Sequence, residues 1–345
     1  MYNETRKKIN DYLDEGIFPS VSFSFIKGRT SEDYVWGNAQ VLPTIEPLTA
    51  SMLFDVASLT KVVCTTTVVL QLIEKGAIEL DAPFIRYYPA FEDGAITIRH
   101  LLTHTSDIES YIENRDKLTK EELRLAYQSV KSGAQLGKKV AYTDTGTILL
   151  GFMLEKLLEK DVIDIFKECV LDPLGMSESI FLPSDVSKTV PTENHPVRGL
   201  LRGQTHDPKA FVLAEHGGNA GLFTNLRDLK KFTTMYLNEG VYQNHRLLKK
   251  ETILSLLSDQ TPTKKGHRSL GWDLKEDKTG ELMLFHTGYT GTFLLIDVLG
   301  NEAFVFLSNR VHPVDNKEEY IEKRDELIQT YLNEKITNKG ESLSF

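Results

Sequence analysis

Ser58-Leu59-Thr60-Lys61 opens a long apolar run in this sequence of 345 residues. Residues that are three positions apart share one face of an α-helix, so a helix here would bring the lysine ammonium beside the serine hydroxyl. A nucleophilic serine needs an activating group at that place. The spacing therefore predicts a nucleophile at Ser58 and its activator at Lys61.

The same pattern occurs a second time, at Ser24 and Lys27. That copy lies in a run in which apolar and polar residues alternate, which predicts a β-strand. In a strand, residues three apart point to opposite faces of the sheet. Only the copy at Ser58 therefore has the geometry that catalysis needs.

Composition and charge are those of an ordinary soluble globular protein, with 41% hydrophobic residues and a formal net charge of -9. The length suits one large domain or two interlocked ones, and the negative charge argues against a nucleic-acid partner. Cys64 and Cys169 fit no metal or redox spacing, and Cys64, inside an apolar helix, is predicted to be a buried free thiol. The polar N-terminal residues and the absence of a long apolar run predict a cytoplasmic protein with no membrane partner.

Strand patterns lie near both ends of the sequence, and helical patterns lie between them. The predicted helices are residues 3–15, 58–75 (closed by Gly76) and 317–333, and the predicted strands are 20–27, 33–38, 282–285, 293–298 and 303–307. Strands joined by tight turns should pair antiparallel, and the continuous apolar strands should be covered on both faces. The expected fold class is α/β (α+β), with a discontinuous sheet domain (1–80 and 211–345) and a mostly helical insertion (81–210).

A serine nucleophile also needs a base and a way to protonate the leaving group. Lys61 is the first candidate base, because burial against an apolar wall would lower the pKa of its ammonium toward neutrality. Tyr142 is the second, because it lies in a turn-like segment before an apolar helix and its phenol could shuttle a proton. Taken alone, each has an ordinary interpretation, as an exposed helix lysine and as one of thirteen tyrosines.

The segment His286-Thr287-Gly288 ends a predicted strand, and a glycine there lets a second backbone or a substrate approach closely. The N–H group of Tyr289, just past the glycine, could join the N–H group of Ser58 in an oxyanion hole. A hairpin turn with an incidental histidine is the alternative.

His100 and His104 are four residues apart and could form a metal-binding pair. The glutamate of a zinc-protease helix and a third ligand are missing, so we expect no metal site. No Gly-x-Ser-x-Gly elbow surrounds a serine, which disfavours an α/β-hydrolase. No phosphate-binding or dinucleotide-binding glycine loop occurs in the right context, so no cofactor is expected.

The order of the three motifs is more specific than any one of them. Ser58-x-x-Lys61, then Tyr142-Thr143-Asp144, then His286-Thr287-Gly288 resembles the serine β-lactamase and penicillin-binding-protein superfamily. The closer resemblance is to its class C-like branch, which includes class C β-lactamases, DD-peptidases, D-aminopeptidases and family VIII-type esterases. Supporting segments are Phe54-Asp55-Val56-Ala57, Leu80-Asp81-Ala82-Pro83, residues 96–106, Asp172-Pro173-Leu174-Gly175-Met176, residues 217–224 and Leu307-Ser308-Asn309-Arg310.

The resemblance implies an antiparallel sheet flanked by terminal helices, a helical domain, and an active site in the cleft between them. It implies that Ser58 is acylated, that Lys61 activates it and that Tyr142 shuttles the proton. It also makes the pair His100 and His104 part of a structural segment. The substrate-binding residues that it implies are Asp144, His286, Thr287, Gly288 and Tyr289.

Two departures from the family pattern bear on the substrate. Asp144 replaces an asparagine whose amide helps hold the side-chain carbonyl of a β-lactam, which disfavours β-lactam hydrolysis. His286 replaces a lysine, so a fixed positive charge becomes one that titrates near neutral pH. If a charged His286 holds an anionic substrate, affinity should fall as the pH rises past about 6.5.

The sequence predicts a serine hydrolase that cleaves an ester or amide in a small molecule or short peptide through an acyl-enzyme on Ser58. Esterase or D-peptidase activity is favoured over true β-lactamase activity because of positions 144 and 286. The alternative is a non-catalytic, penicillin-recognising binding or scaffold protein that keeps the fold. Retention of Ser58, Lys61 and Tyr142 argues against that alternative.

Overall fold

A computed structural model describes residues 1–342 of the chain. The α-helices are α1 Asn3–Asp14, α2 Thr67–Glu74, α3 Ile98–Leu102, α4 Lys120–Gln128, α5 Thr145–Leu158, α6 Val162–Phe166, α7 Pro208–Leu213, α8 Leu226–Leu237, α9 Lys250–Ser255 and α10 Lys317–Ser342. The strands are β1 Ser20–Lys27, β2 Thr30–Gln40, β3 Glu46–Pro47, β4 Phe54–Asp55, β5 Ile180–Phe181, β6 Asn194–His195, β7 Gly199–Leu200, β8 Leu222–Thr224, β9 Val241–Tyr242, β10 His245–Arg246, β11 Asp273–Glu276, β12 Leu282–Gly288, β13 Thr292–Asp297 and β14 Glu302–Ser308.

Strands from the two ends of the chain form one sheet of seven strands, in the order β11-β12-β13-β14-β1-β2-β3. Every neighbouring pair is antiparallel. The join between the two ends is the pair β1 and β14, in which Phe23 lies opposite Phe306. The expected antiparallel sheet built from both ends of the chain is therefore confirmed.

The sheet is covered on both faces, as the apolar runs predict. Every residue of β13 and β14 is buried. One face packs Phe23, Phe304 and Phe306 into a cluster with residues of α1 and α10. The other face places Val305 and Leu307 in the core that also holds residues of α8 and α2. Side chains alternate between the faces of a strand, so a strand between two apolar layers needs apolar residues at every position.

The segment just after Ser58, the predicted nucleophile, differs from a regular helix. Lys61–Thr66 is a π-helical turn that continues directly into α2, which ends at Glu74 and is followed by Gly76 in the left-handed conformation (φ 71°). The predicted helix over 58–75 and its glycine stop are confirmed, whereas its first turns are wider than predicted. Short π-helical turns occur frequently at functional sites. Within this segment Cys64 is a buried free thiol, as expected.

Some short elements escaped sequence prediction. β11 forms the far edge of the large sheet, and β4, β8 and β5 form a separate sheet of three strands. Two-residue strands carry too little periodicity to be recognised from sequence. The strands of the large sheet lie within residues 20–47 and 273–308, and the proposed helical insertion at 81–210 stays a prediction. None of the helices within residues 1–342 has the length and apolar character that crossing a membrane requires.

Helix α10 is fixed to the sheet by a buried lysine. The Nζ atom of Lys335 lies 2.6 Å from Asp297, 3.2 Å from Glu281 and 3.5 Å from Asp277, and its side chain is fully buried. A buried charge of this kind is stable only with its partners in place. The cluster therefore ties the C-terminal helix to the turns at the ends of β11 and β13.

We expect Lys335→Met to lower the free energy of unfolding by about 3 kcal/mol, because it removes a buried cation that contacts three carboxylates. The matched control is Lys323→Met on the same helix, which removes a partly exposed ion pair with Glu15 and should cost much less, because solvent screens a surface ion pair. Urea denaturation of the two variants provides the measurement. Equal losses would contradict the structural role assigned to Lys335.

Candidate active site

The turn between β4 and the π-helical segment presents Ser58. The Nζ atom of Lys61 donates hydrogen bonds to the Oγ atom of Ser58 at 2.6 Å and to the carbonyl oxygen of Asn219 at 3.0 Å. The Lys61 side chain is 1% exposed. The lysine is therefore buried and faces the serine, which is the juxtaposition that the Ser-x-x-Lys spacing predicts.

A buried carboxylate organises the backbone just before the nucleophile. Ala57 adopts a left-handed conformation (φ 45°), which is uncommon for a residue with a Cβ atom. The carboxylate of Asp55 accepts the N–H groups of Ala57 and His206, each at 2.8 Å. Burial raises the pKa of Asp55, and these two hydrogen bonds oppose the rise. Asp55 thus holds the strained turn from which Ser58 projects.

Lys61 is not the free base that its burial suggested. Its ammonium forms an ion pair with Asp144 at 2.7 Å. Burial lowers the pKa of Lys61, but the nearby charge of Asp144, the phenol of Tyr142 and the hydrogen bond to Asp144 outweigh burial, so the pKa lies above its ordinary value. The expectation of a lowered pKa is wrong because sequence spacing did not show that a carboxylate meets this lysine. Lys61 acts here as a charged hydrogen-bond donor.

Asp144 lies between two lysines. Its Oδ1 atom contacts Lys61, and its Oδ2 atom lies 2.8 Å from the Nζ atom of Lys209. Burial raises the pKa of Asp144, but the two ammonium groups outweigh this effect and hold the pKa well below its usual range. Asp144 therefore carries a full negative charge at neutral pH. Sequence reasoning identified Asp144 but missed Lys209, which follows no motif.

Tyr142 is half-exposed, with 48% of its surface accessible, and its ring lies among cations and imidazoles. The Nζ atom of Lys61 and the Cζ atom of Arg268 lie 5.4 Å and 5.7 Å from the ring centroid. The ring of His104 lies 4.5 Å away, between centroids. The structure thus brings Ser58, Lys61 and Tyr142 together, although 81 positions separate the lysine from the tyrosine along the chain.

His286 is buried and neutral. Its side chain is 2% exposed, and its Nδ1 atom donates a hydrogen bond to the carbonyl oxygen of Thr287 at 3.0 Å. Burial, and then the positive charges of Lys61 and Arg268, lower the pKa of His286 well below the ordinary value of a histidine. The expectation that His286 supplies a charge that titrates near neutral pH is therefore wrong.

Arg268 supplies a buried positive charge that no motif predicted. It is almost fully buried and pairs with Asp273. Its guanidinium faces the ring of Tyr142, and its charge is one of the causes that lower the pKa values of His104 and His286. In the sequence, Arg268 is only an arginine a few residues before β11. That feature is too common to identify a site residue without a structure.

The end of β12 is packed onto the nucleophile turn. A Cβ atom at Gly288 would lie 2.2 Å from Thr292 Oγ1 and 2.3 Å from the carbonyl oxygen of Val56, so only glycine fits. Thr290 Oγ1 donates to the carbonyl oxygen of Asp55 at 2.7 Å. These contacts explain why the motif ends in glycine, as predicted from the close approach of two backbones.

Tyr289 follows this glycine at the mouth of the site, and its side chain is partly exposed. Its carbonyl oxygen accepts hydrogen bonds from Nε and Nη2 of Arg310, at 2.9 Å and 2.6 Å, which fix the turn. Among residues 1–342, no protein acceptor is found for the backbone N–H groups of Ser58 and Tyr289. Two fixed N–H groups without acceptors are what an oxyanion site requires.

His100 and His104 have separate partners. His100 Nδ1 accepts the N–H group of Thr97 and so caps helix α3, whereas His104 is buried against Tyr142. Each of the two histidines therefore has its own contacts within the protein, as expected of a structural segment.

Comparison with known proteins agrees with this arrangement of motifs. The sequence profile described as Beta-lactamase matches residues 5–327. The chain belongs to the beta-lactamase family. The resemblance to the serine β-lactamase and penicillin-binding-protein superfamily, whose members are serine hydrolases, is confirmed, as is the β-lactamase/transpeptidase-like fold.

The chain is 27% identical, over an alignment 379 positions long, to an N-acetylmuramyl-L-alanine amidase of Bacillus subtilis (strain 168), covering 91% of this chain and 83% of that protein. Among solved structures, it is similar to a D-amino acid amidase from Ochrobactrum anthropi SV3 (TM-score 0.75, 19% identity, 98% and 99% of the two chains). It is also similar to a class C β-lactamase from Rhodobacter sphaeroides (TM-score 0.74, 18% identity, 96% and 99%). The two structures share the fold with this beta-lactamase-family chain.

The neutral state of His286 predicts how stability depends on pH. Because the folded protein keeps this ring neutral while the unfolded chain binds a proton near pH 6.5, stability should fall as the pH decreases below about 6.5. One such histidine contributes a loss of up to about 1.4 kcal/mol per pH unit. We expect His286→Gln to show a shallower loss of unfolding free energy than the unmodified protein between pH 6.5 and 5. Equal slopes in urea denaturation would show that His286 is protonated in the folded state.

Proposed function

We propose that this protein is a serine hydrolase that cleaves an ester or an amide through an acyl-enzyme on Ser58. The observation that carries the proposal is the contact of Ser58 Oγ with the buried ammonium of Lys61, at 2.6 Å, beside the half-exposed phenol of Tyr142. A nucleophile that contacts a fixed cation, with a phenol ring 5.4 Å from that cation as proton shuttle, supplies the parts that covalent acyl transfer needs.

Because Lys61 donates to Ser58 Oγ, the serine hydroxyl has to pass its own proton elsewhere. We assign that step to Tyr142, whose ring centroid lies 5.4 Å from Lys61 Nζ and 5.7 Å from Arg268 Cζ. Ser58 Oγ attacks the carbonyl carbon, and the proton moves through Tyr142 to the departing alcohol or amine. Water then attacks the carbonyl carbon of the acyl-enzyme and gives a proton to Tyr142. Tyr142 passes a proton to Ser58 Oγ as the acyl–Oγ bond breaks, which releases the acid and restores the serine hydroxyl.

The oxyanion that forms in each step would be held by the N–H groups of Ser58 and Tyr289. Gly288 brings the second N–H group close to the nucleophile turn, and Arg310 fixes the peptide that follows it. Donors that are fixed before the reaction stabilise developing charge without reorganisation. Thr287 and His286, on the same strand, would line the substrate site.

We favour an ester or a peptide-like amide over a β-lactam as substrate. Asp144 is a carboxylate and has no amide N–H group to donate to a β-lactam side chain. Its two oxygens already contact Lys61 and Lys209. His286 offers no fixed charge for a substrate carboxylate. The names of two similar proteins, an N-acetylmuramyl-L-alanine amidase and a D-amino acid amidase, support amide bonds next to amino-acid residues as the target.

The rival proposal, a non-catalytic binding protein with the same fold, has less support. A fold alone does not guarantee chemistry. However, a binding protein has no need for a strained turn at Ala57 or for a buried lysine aimed at a serine, both of which cost stability.

We expect Ser58→Ala to abolish the covalent adduct that the unmodified protein forms with an acylating probe such as penicillin or a p-nitrophenyl ester. The loss follows because, among the residues that the structure describes, Ser58 carries the only hydroxyl to which Lys61 Nζ donates a hydrogen bond. Intact-protein mass spectrometry after a short incubation measures the adduct, and release of p-nitrophenol measures turnover.

The second Ser-x-x-Lys copy provides the matched control. Ser24 lies on β1, where it donates to Asp33 instead of contacting a lysine, so Ser24→Ala should keep the adduct and the turnover. An adduct that persists in Ser58→Ala, or the lack of any adduct and turnover in the unmodified protein with either probe, would overturn the proposed function. Efficient turnover of penicillin would reverse the preference for esters and amides.

A further inference from the structure

Five residues behind Ser58 form a closed ring of polar contacts. Lys61 pairs with Asp144 at 2.7 Å, Asp144 with Lys209 at 2.8 Å, and Lys209 with Asp207 at 2.9 Å. Asp207 then accepts Asn219 Nδ2 at 3.0 Å, and the carbonyl oxygen of Asn219 accepts Lys61 Nζ at 3.0 Å. Lysines and carboxylates alternate around this charged ring.

The ring is anchored in the backbone at Asp207. Its Oδ1 atom caps helix α7 by accepting the N–H groups of Lys209 and Ala210, at 3.0 Å and 2.9 Å. Its Oδ2 atom holds the ammonium of Lys209, whose side chain is mostly buried. Lys209 is therefore fixed from one side and offers its charge to Asp144 on the other.

We propose that Lys209 is a positioning residue that acts through Asp144 on Lys61. Lys209 binds Oδ2 of Asp144 and so weakens the electrostatic attraction between Asp144 and Lys61. The Lys61 ammonium can then keep its contact with Ser58. The proposal rests on the proposed function of Ser58.

Removal of Lys209 should weaken the contact between Lys61 and Ser58. A buried carboxylate that loses one of two cations is left with an uncompensated charge. Asp144 would then draw Lys61 toward itself and away from the serine. Removal of both Asp144 and Lys209 takes away one charge of each sign, so the defect should largely disappear in the double variant.

Charge also predicts how the pH profile of acylation should move. Deprotonation of a group near Ser58 becomes harder when a nearby positive charge is removed and easier when a negative charge is removed. The acidic limb is the part of the pH–rate profile in which the acylation rate rises with pH. Its midpoint should shift to higher pH in Lys209→Met and to lower pH in Asp144→Asn, each by about 0.5 to 1 pH unit. In the double variant the midpoint should return close to its original pH. Other charged or titratable groups near this site are His104, Arg115, Tyr127, Tyr142, Asp207, Arg268 and His286.

The test compares the unmodified protein with Lys209→Met, Asp144→Asn, the double variant and Lys209→Arg, using p-nitrophenyl acetate from pH 5 to 9. We expect Lys209→Met to acylate at least about tenfold more slowly, the magnitude that breaking a buried ion pair allows. The double variant should be faster than Lys209→Met, which is the non-additivity expected of contacting residues. Lys209→Arg keeps the charge and should keep the position of the acidic limb.

Lys230→Met is the matched control, because Lys230 also binds a carboxylate, that of Asp33, but lies away from the ring. It should leave the rate and the limb unchanged, and thermal unfolding checks that every variant is folded. Two results in an active protein would overturn the role of Lys209 but leave the proposed function standing. One is an acidic limb of the pH–rate profile that does not move in Lys209→Met. The other is a limb that moves in the same direction in Lys209→Met and Asp144→Asn. A protein without Ser58-dependent turnover overturns the proposed function instead.

Discussion

The buried ammonium of Lys61 is the group around which the site is built. A charge inside a protein is stable only where hydrogen bonds and an opposite charge replace its lost hydration. Three separate parts of the chain supply these partners, namely Ser58 in the preceding turn, Asp144 before α5 and Asn219 before β8. The requirement to satisfy one lysine therefore brings the nucleophile, the tyrosine segment and the loop at residue 219 together.

The large sheet adds the opposite wall of the site. The end of β12 and the turn after it are attached to the backbone that enters the nucleophile turn, through Gly288, Thr290 and Thr292. Both backbones belong to buried strands, which a rigid core holds in place. The two N–H groups assigned to the oxyanion site thus depend on packing across the molecule more than on the residues that carry them.

Local patterns predicted the parts of this protein that local physics determines. Alternation and apolar runs identified β1, β13 and β14, and the three-residue spacing placed Lys61 against Ser58. The ionisation states could not be predicted in the same way, because they depend on partners far away in sequence. The pKa of Lys61 rises because Asp144 lies beside it, and His286 stays neutral because burial and Arg268 outweigh its ordinary tendency. Lys209 and Arg268 belong to no motif, so only tertiary contacts reveal them.

The two motif departures are best understood together with these unforeseen cations. Relative to the family pattern, position 144 gains a negative charge and position 286 loses a positive one. Lys209 and Arg268 bring two positive charges back into the same region. Arg268 is buried and Lys209 is mostly buried, and each pairs with a further carboxylate, Asp273 and Asp207 respectively. The two cations therefore do not replace a lysine that could bind a substrate carboxylate, and the substrate preference should change with that loss.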